Sequence, residues 1–183
     1  VKRQTGLLRP EINDHNILGD SIYFPYFFAV SDDKDITVKP RLFNNNTFVL
    51  QNEYRQITKN SKTIVDSSIT TGHYSDPNNK NDVDTRSHFF VNSKINLTLE
   101  NFITSDLEVN YEKASNDTYL NLFKFIRSPL LINKNLNNLQ SAVTLNLSNY
   151  DYDLSSSIEM YETLKGNSSD RYQYVLPNYN FSK

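Results

Sequence analysis

The chain has no cysteine, no tryptophan, one methionine and only four glycines in 183 residues. Without cysteine there is no disulfide framework, no thiolate nucleophile and no cysteine-ligated zinc. No stretch approaches the ~18 consecutive apolar residues of a membrane-crossing helix. Nineteen Lys and Arg stand against 21 Asp and Glu, a net charge of −2, so the basic footprint needed for nucleic acid is missing. The glycines form no phosphate-cradling loop, and no nucleophile elbow presents a serine. Apolar residues make up 37% and mean hydropathy is −0.61, below the ~45–50% apolar content of an ordinary soluble domain. The chain opens on Val1 rather than Met, without the charged-then-apolar pattern of a secretory leader. The expectation is a leader already removed, or a piece of a longer protein.

What is abundant points elsewhere. Twelve Tyr and eleven Phe bring aromatics to 13%, too many for a disordered chain. Asn occurs 25 times, partly as turn chemistry and partly as composition bias. Triplets such as Asn96-Leu97-Thr98 and Asn146-Leu147-Ser148 follow from that abundance rather than marking glycosylation.

The dominant period is two. Ile36, Val38, Pro40 and Leu42 alternate with Thr37, Lys39 and Arg41; Leu107, Val109 and Tyr111 alternate with Asp106, Glu108, Asn110 and Glu112. Successive side chains of a strand point to opposite faces, so each segment has one apolar and one polar side. Strands are expected at 3–9, 21–31, 35–43, 47–58, 63–73, 88–99, 103–114, 138–149, 152–163 and 171–179. Most run nine to twelve residues, against ~5–6 in ordinary globular strands and ~9–11 for a tilted membrane strand. Connections at 32–34, 59–62, 100–102 and 150–151 are tight, while 10–20, 74–87, 115–137 and 164–170 are longer; 44–46 breaks the alternation. Short turns on one rim and long loops on the other describe an outer-membrane barrel. Tyr23, Phe24, Tyr26, Phe27, Phe28, Tyr74, Phe89, Phe90, Phe102, Tyr150, Tyr152, Tyr172 and Tyr174 cluster near strand ends, as interfacial girdles do. The fold class is therefore all-β, an antiparallel up-and-down transmembrane barrel segment of about ten strands, an open curved sheet if the chain is a fragment. Lys39, Arg41, Glu53, Arg55, Asp66, Lys94, Asp106, Glu108 and Glu112 are the expected lining of a wet lumen; in a two-sheet sandwich they would instead be a solvated outer face.

No motif assembles an active site. His15, His73 and His88 have no metal-ligand spacing on one element, although His73 and His88 flank one hairpin loop. Asp76 to Asp84 resembles a calcium loop but lacks the Gly and terminal Glu of an EF-hand. Carboxylates such as Asp106 and Glu108 share a strand face without the cleft of a glycosidase pair. No enzyme and no cofactor are expected. Two prolines carry more information. Proline gives no N–H to a ladder and is confined to edges, strand starts and bulges. Pro10 ends the first strand, and Pro25 interrupts strand-forming neighbours on both sides, weakening the seam between the first two strands by about one ladder bond, ~0.5–1.5 kcal/mol.

Five motifs in order then resemble the LptD (OstA, Imp) family of outer-membrane lipopolysaccharide translocons. Residues 2–10, ending in Arg3-Gln4-Thr5-Gly6-Leu7-Leu8-Arg9-Pro10, are similar to the R-x-S-G-F-L-x-P opening of that family's barrel. Phe24-Pro25-Tyr26-Phe27 resembles its P-Y-Y segment, Asp35 to Arg41 its D-x-T-x-x-P run, and Asn52-Glu53-Tyr54-Arg55 its N-E-[FY]-R strand. Ser115 to Phe123 resembles its S-D-x-x-[YF]-x-x-[DN]-F loop, with Asn116 interrupting the Ser-Asp pair. Residues 124–183 match only as alternating strands. The family's periplasmic domain, most of its barrel strands and its cysteines have no counterpart here, so residues 1–183 are expected to be a partial barrel domain. The resemblance implies an outer-membrane location in a Gram-negative bacterium and lipopolysaccharide as substrate. It implies the plug lipoprotein LptE, the periplasmic bridge protein LptA and outer-membrane lipids as partners, with no nucleic acid. It also implies a lateral gate formed by the first and last strands of the barrel, with Pro10 and Pro25 as gate residues and Gly6, Leu7 and Leu8 on the seam. Two other readings stay open: a self-contained ten-stranded barrel, porin or surface hydrolase, and a soluble carbohydrate-binding module with a two-sheet core.

Overall fold

The computed structural model describes residues 3–16, 18–74, 83–124, 128, 130, 136–165 and 170–183. The strands are β1 (Gly6–Leu7), β2 (Glu11–Asn13), β3 (Ser21–Tyr23), β4 (Tyr26–Ser31), β5 (Lys34–Phe43), β6 (Phe48–Ile57), β7 (Ser61–Tyr74), β8 (Val83–Asn96), β9 (Thr104–Ala114), β10 (Asn138–Ser148), β11 (Asp153–Thr163) and β12 (Tyr172–Ser182). Among the described residues one short helix, α1 (Tyr119–Leu122), sits between β9 and β10. All twelve strands belong to one antiparallel sheet, in the order β1-β4-β5-β6-β7-β8-β9-β10-β11-β12, with β2 on β3 and β3 on β5. From β4 onward sequence neighbours pair, an up-and-down meander, while β1 with β2 and β3 with β4 each act as one interrupted strand. β1 and β12 end the order unpaired with each other, so the sheet is open. No second sheet is present among the described residues, which removes the two-sheet module.

The expected segments are recognisable, with several differences: β8 begins at Val83 rather than at 88, and β2 forms within the expected 10–20 connection. The segment 21–31 splits into β3 and β4 around Phe24-Pro25, and 3–9 contracts to Gly6–Leu7, because proline cannot complete a ladder. The strand expected to run to Leu99 stops at Asn96. There the Asn96 side-chain oxygen accepts the Thr98 amide at 2.8 Å and Thr98 takes φ 50°, an Asx turn that ends the strand. From β5 onward strands run 10 to 14 residues. Residues 32–33, 58–60, 97–103 and 149–152 connect strands on one rim; 14–20, 44–47, 75–82, 115–137 and 164–171 do so on the other, where the longest connections lie.

Register assigns the two faces. Ile22 pairs with Leu42, Tyr26 with Val38 and Phe28 with Ile36; Leu145 pairs with Leu107 and Leu147 with Leu154. Directly paired residues share a face, so one side of the sheet is predominantly apolar, with Asn52 and Ser67 paired within it. It is uncovered: Phe28, Leu42, Ile69, Phe89, Val143 and Ile158 are all more than two-fifths exposed. The polar side holds most of the buried polar residues, including Asp35, Gln51, Asp66, His88 and Glu112. Buried apolar side chains gather at the long-connection rim, where Leu18, Phe43, Val49, Phe90, Ala114, Leu139 and Leu164 pack with Tyr119, Leu120 and Phe123 of the α1 segment. Full burial contributes roughly 1.5–3 kcal/mol per large side chain, so this cluster fastens the α1 segment to the sheet. Phe90, expected among the girdle aromatics, is a core residue here.

Candidate functional site

The polar face is built by strict alternation. Thr37 pairs with Glu53, Glu53 with Asp66, Asp66 with Phe90 and Phe90 with Glu112. Counting by twos from these pairs puts Lys39, Arg41, Glu53, Arg55, Asp66, Lys94, Asp106, Glu108 and Glu112 on one face. Charges alternate along it. Lys39 Nζ meets Glu53 Oε2 at 2.6 Å, Arg55 Nε meets Asp35 Oδ1 at 2.8 Å, and Lys94 Nζ lies 3.3 Å from Asp106 Oδ2. Asn92 donates to Asn110 Oδ1 at 2.5 Å and to Glu108 Oε1 at 3.4 Å. The surface is thus dense in donors and acceptors, the chemistry that receives hydroxyl-rich or water-covered groups.

At the long-connection end this face is covered from inside. Asp66 is fully buried; Gln51 Nε2 donates to its two oxygens at 3.0 and 3.3 Å, and His88 Nε2 lies 3.4 Å from Oδ1. Ser68 Oγ is 2.7 Å from His88 Nδ1 and also bonds the Tyr119 hydroxyl. Arg86 donates to Thr118 Oγ1 at 3.0 Å. The segment after β9 therefore folds onto the polar side of β7 and β8. Burial pushes the Tyr119 phenol up to about 12, because the phenolate would lose its water. Serine, histidine and aspartate meet here without an opening to solvent, so the trio is a structural fastening.

The first seam is different. Gly6 pairs with Phe27 and Leu7 with Tyr26; the Leu8 amide donates to the Pro25 carbonyl at 2.8 Å. Pairing resumes at Glu11 with Tyr23, so Arg9 and Pro10 together face the single residue Phe24, a bulge. An antiparallel hydrogen-bonded pair exchanges two N–H···O bonds, and Pro25 returns none to Leu8. The next seam repeats the defect at the same level: the Phe24 amide donates to the Pro40 carbonyl at 3.3 Å, and Pro40 has no N–H to give back. Pro40 lies within β5, where proline is ordinarily excluded, directly beside the break at Pro25. Leu7 and Leu8 are exposed.

Several participants escape a reading by sequence. Gln51, Ser68 and Arg86 carry no local signal, and Asp35 and Tyr119 lie in family-like motifs that say nothing of their partners; only tertiary contacts reveal these roles. His88, expected as a rim residue, is buried. Register sets it opposite Ser68 while His73 is opposite Asp84, which separates the two histidines by several rungs. The calcium-like stretch falls mainly on 75–82, outside the described residues.

No protein-family model matches the chain. Among curated proteins it is similar to the LPS-assembly protein LptD of Pseudoalteromonas atlantica, 25% identical over 120 residues, 64% of this chain and 14% of that protein. It is 26% identical to the protein of that name from Pseudoalteromonas translucida over 132 residues, 65% of this chain and 17% of the relative. With that of Pseudomonas aeruginosa it shares 30% identity over 67 residues, 37% of this chain and 7% of the relative. The chain spans less than a fifth of the length of these relatives. The resemblance drawn from the ordered motifs is borne out over part of the chain.

Proposed function

We propose that this chain forms part of an outer-membrane barrel that moves lipopolysaccharide to the outer leaflet, its sugars passing along the polar face and its lipid leaving through a lateral gate between the barrel's first and last strands, which the weakened first seam lets open. The observation that carries the reading is a single sheet with an uncovered apolar face and an opposite face of buried and half-buried polar groups. An apolar face of this extent needs hydrocarbon against it. A carbohydrate chain needs hydrogen-bonding partners, and the lining named above supplies them. The relatives' names, LPS-assembly proteins, support lipopolysaccharide as the substrate. On this reading the plug lipoprotein LptE and the bridge protein LptA are partners, the cell outer membrane of a Gram-negative bacterium is the location, and no catalytic step is assigned. A self-contained ten-stranded barrel would bring β1 beside β12; the open order gives that alternative no support.

Pro10 and Pro25 are the gate residues of this proposal, with Gly6, Leu7 and Leu8 on the seam. Replacing Pro25 with Ala in the full-length protein restores a donor facing Leu8 and is expected to tighten the seam and slow delivery of lipopolysaccharide to the cell surface. Unchanged surface delivery by a normally inserted P25A protein counts against the gate.

A further inference from the structure

We propose that Arg3 is a clamp across the first seam, its guanidinium anchored on Asp35 and holding the first strand where the backbone ladder has run out. Towards the amino terminus from Gly6, the described ladder offers no further rung. The next donor on β4, the Ala29 amide, is taken by the Thr5 hydroxyl at 3.0 Å rather than by a main-chain carbonyl. Arg3 Nη1 then reaches past β4 to Asp35 Oδ2 at 2.8 Å. Asp35 sits on β5, registered with Ala29 on one side and Arg55 on the other. A single bond therefore ties the first strand to the third strand of the sheet, skipping the one between.

The contact is built to be released. Asp35 is almost fully buried, whereas the Arg3 side chain is 51% exposed. The other carboxylate oxygen, Oδ1, holds Arg55 at 2.8 Å. When Arg3 lets go, Asp35 keeps a cation and Arg3 returns to water. Breaking an ordinary buried pair strands a charge in the interior; here neither partner is stranded. Arg55 makes the reverse case. It fastens β6 to β5, inside a nine-rung ladder, and its loss leaves Arg3 on the same carboxylate. Arg3 is thus a positioning residue for the seam, and its relevance to transport rests on the gate proposed above.

Hydrogen exchange on the full-length protein in nanodiscs reads the seam directly. Arg3→Ala is expected to speed exchange of the Leu8 and Ala29 amides about three- to tenfold, the size of one partly exposed charge-assisted bond, with β6 and β7 amides unchanged. Arg55→Ala is expected to leave the seam amides at their wild-type rates. Raising salt is expected to speed seam exchange in the wild type and not in R3A, since the pair is partly open to screening. Seam rates unmoved by R3A, or raised equally throughout β5–β7, overturn the clamp. The same R3A protein assayed for surface delivery separates the two proposals: faster seam exchange with unaltered delivery leaves the clamp standing and removes the gate.

Discussion

Two stretches of one sheet are held together by different means. Between β6 and β7 ten consecutive residues pair without a break, from Phe48 with Thr71 to Ile57 with Lys62. Between the first two strand segments there are two paired residues, a bulge and three more. In the central stretch the side chains reinforce the ladder: Gln51 bonds Asp66, Ser68 bonds His88, and His88 lies 3.4 Å from Asp66, all four buried. In the first stretch they replace it, with the Thr5 hydroxyl and the Arg3 guanidinium standing where rungs would be. Topology is the same in both, because the alternation of apolar and polar residues fixes which strands meet. Adhesion is not, because each proline removes a donor from one named seam and leaves the rest untouched. A sheet can therefore keep one line of weakness without losing its register elsewhere.

The largest effect expected from this contrast is in the centre. Asp66→Ala leaves the buried Gln51 amide without its acceptor and is expected to cost about 1–3 kcal/mol, read as a lowered midpoint of unfolding in detergent. Arg3→Ala, at the first seam, is expected to cost less than about 1 kcal/mol by the same measurement. Equal losses at the two sites would abolish the distinction between a fastened centre and a releasable edge.

Tyr119 sharpens the comparison through pH. Its folded-state phenol is raised from an ordinary value near 10 to about 12, so folding favours the neutral form. Below pH 10 both states keep the proton and the contribution is whole. As pH rises from 10 through 12 the unfolded chain ionises first, and up to roughly 1–3 kcal/mol is lost. Tyr119→Phe, which also forfeits the Ser68 bond at about 0.5–1.5 kcal/mol, is expected to unfold with a shallower fall over that window. Stability curves of the two proteins that run parallel from pH 9 to 12 would place the phenol in water, and the inward packing of the α1 segment would fall with it.

How much of this was legible beforehand follows from locality. Strand positions and faces are written in neighbouring residues, so Ile36 to Leu42 and Leu107 to Tyr111 declare their sides without any tertiary information. Pro25 was legible too, since the missing N–H is a covalent fact. Pro40 is less legible: it keeps the alternation of β5, and its consequence exists only opposite Phe24. The Ser68–Tyr119 contact joins residues 51 apart in sequence, one on β7 and one in the long connection after β9, and no linear pattern pairs them. Arg3 with Asp35 depends on how three strands register, which a linear pattern does not encode.

Two glycines carry the contrast down to its smallest effects. Gly19 closes the rim turn in which the Gly19 amide donates to the His15 carbonyl at 2.7 Å. It sits at φ +78°, and a methyl group there would run into the Asn44 side-chain amide. Gly19→Ala is expected to cost about 1–3 kcal/mol, seen as a lowered unfolding midpoint. Gly6 lies on the seam itself, yet a methyl built on it meets nothing within 4 Å, and its φ is not in the left-handed region. Sterically the change is free, and alanine limits the unfolded chain more than glycine does. Gly6→Ala is therefore expected to shift stability by less than about 0.5 kcal/mol, with exchange of the Leu8 amide within twofold of wild type. A larger rise in that exchange would mean that the first strand reaches tighter packing on this face than its open surroundings indicate, and the seam's weakness would then lie in side-chain fit rather than in the donors that proline removes.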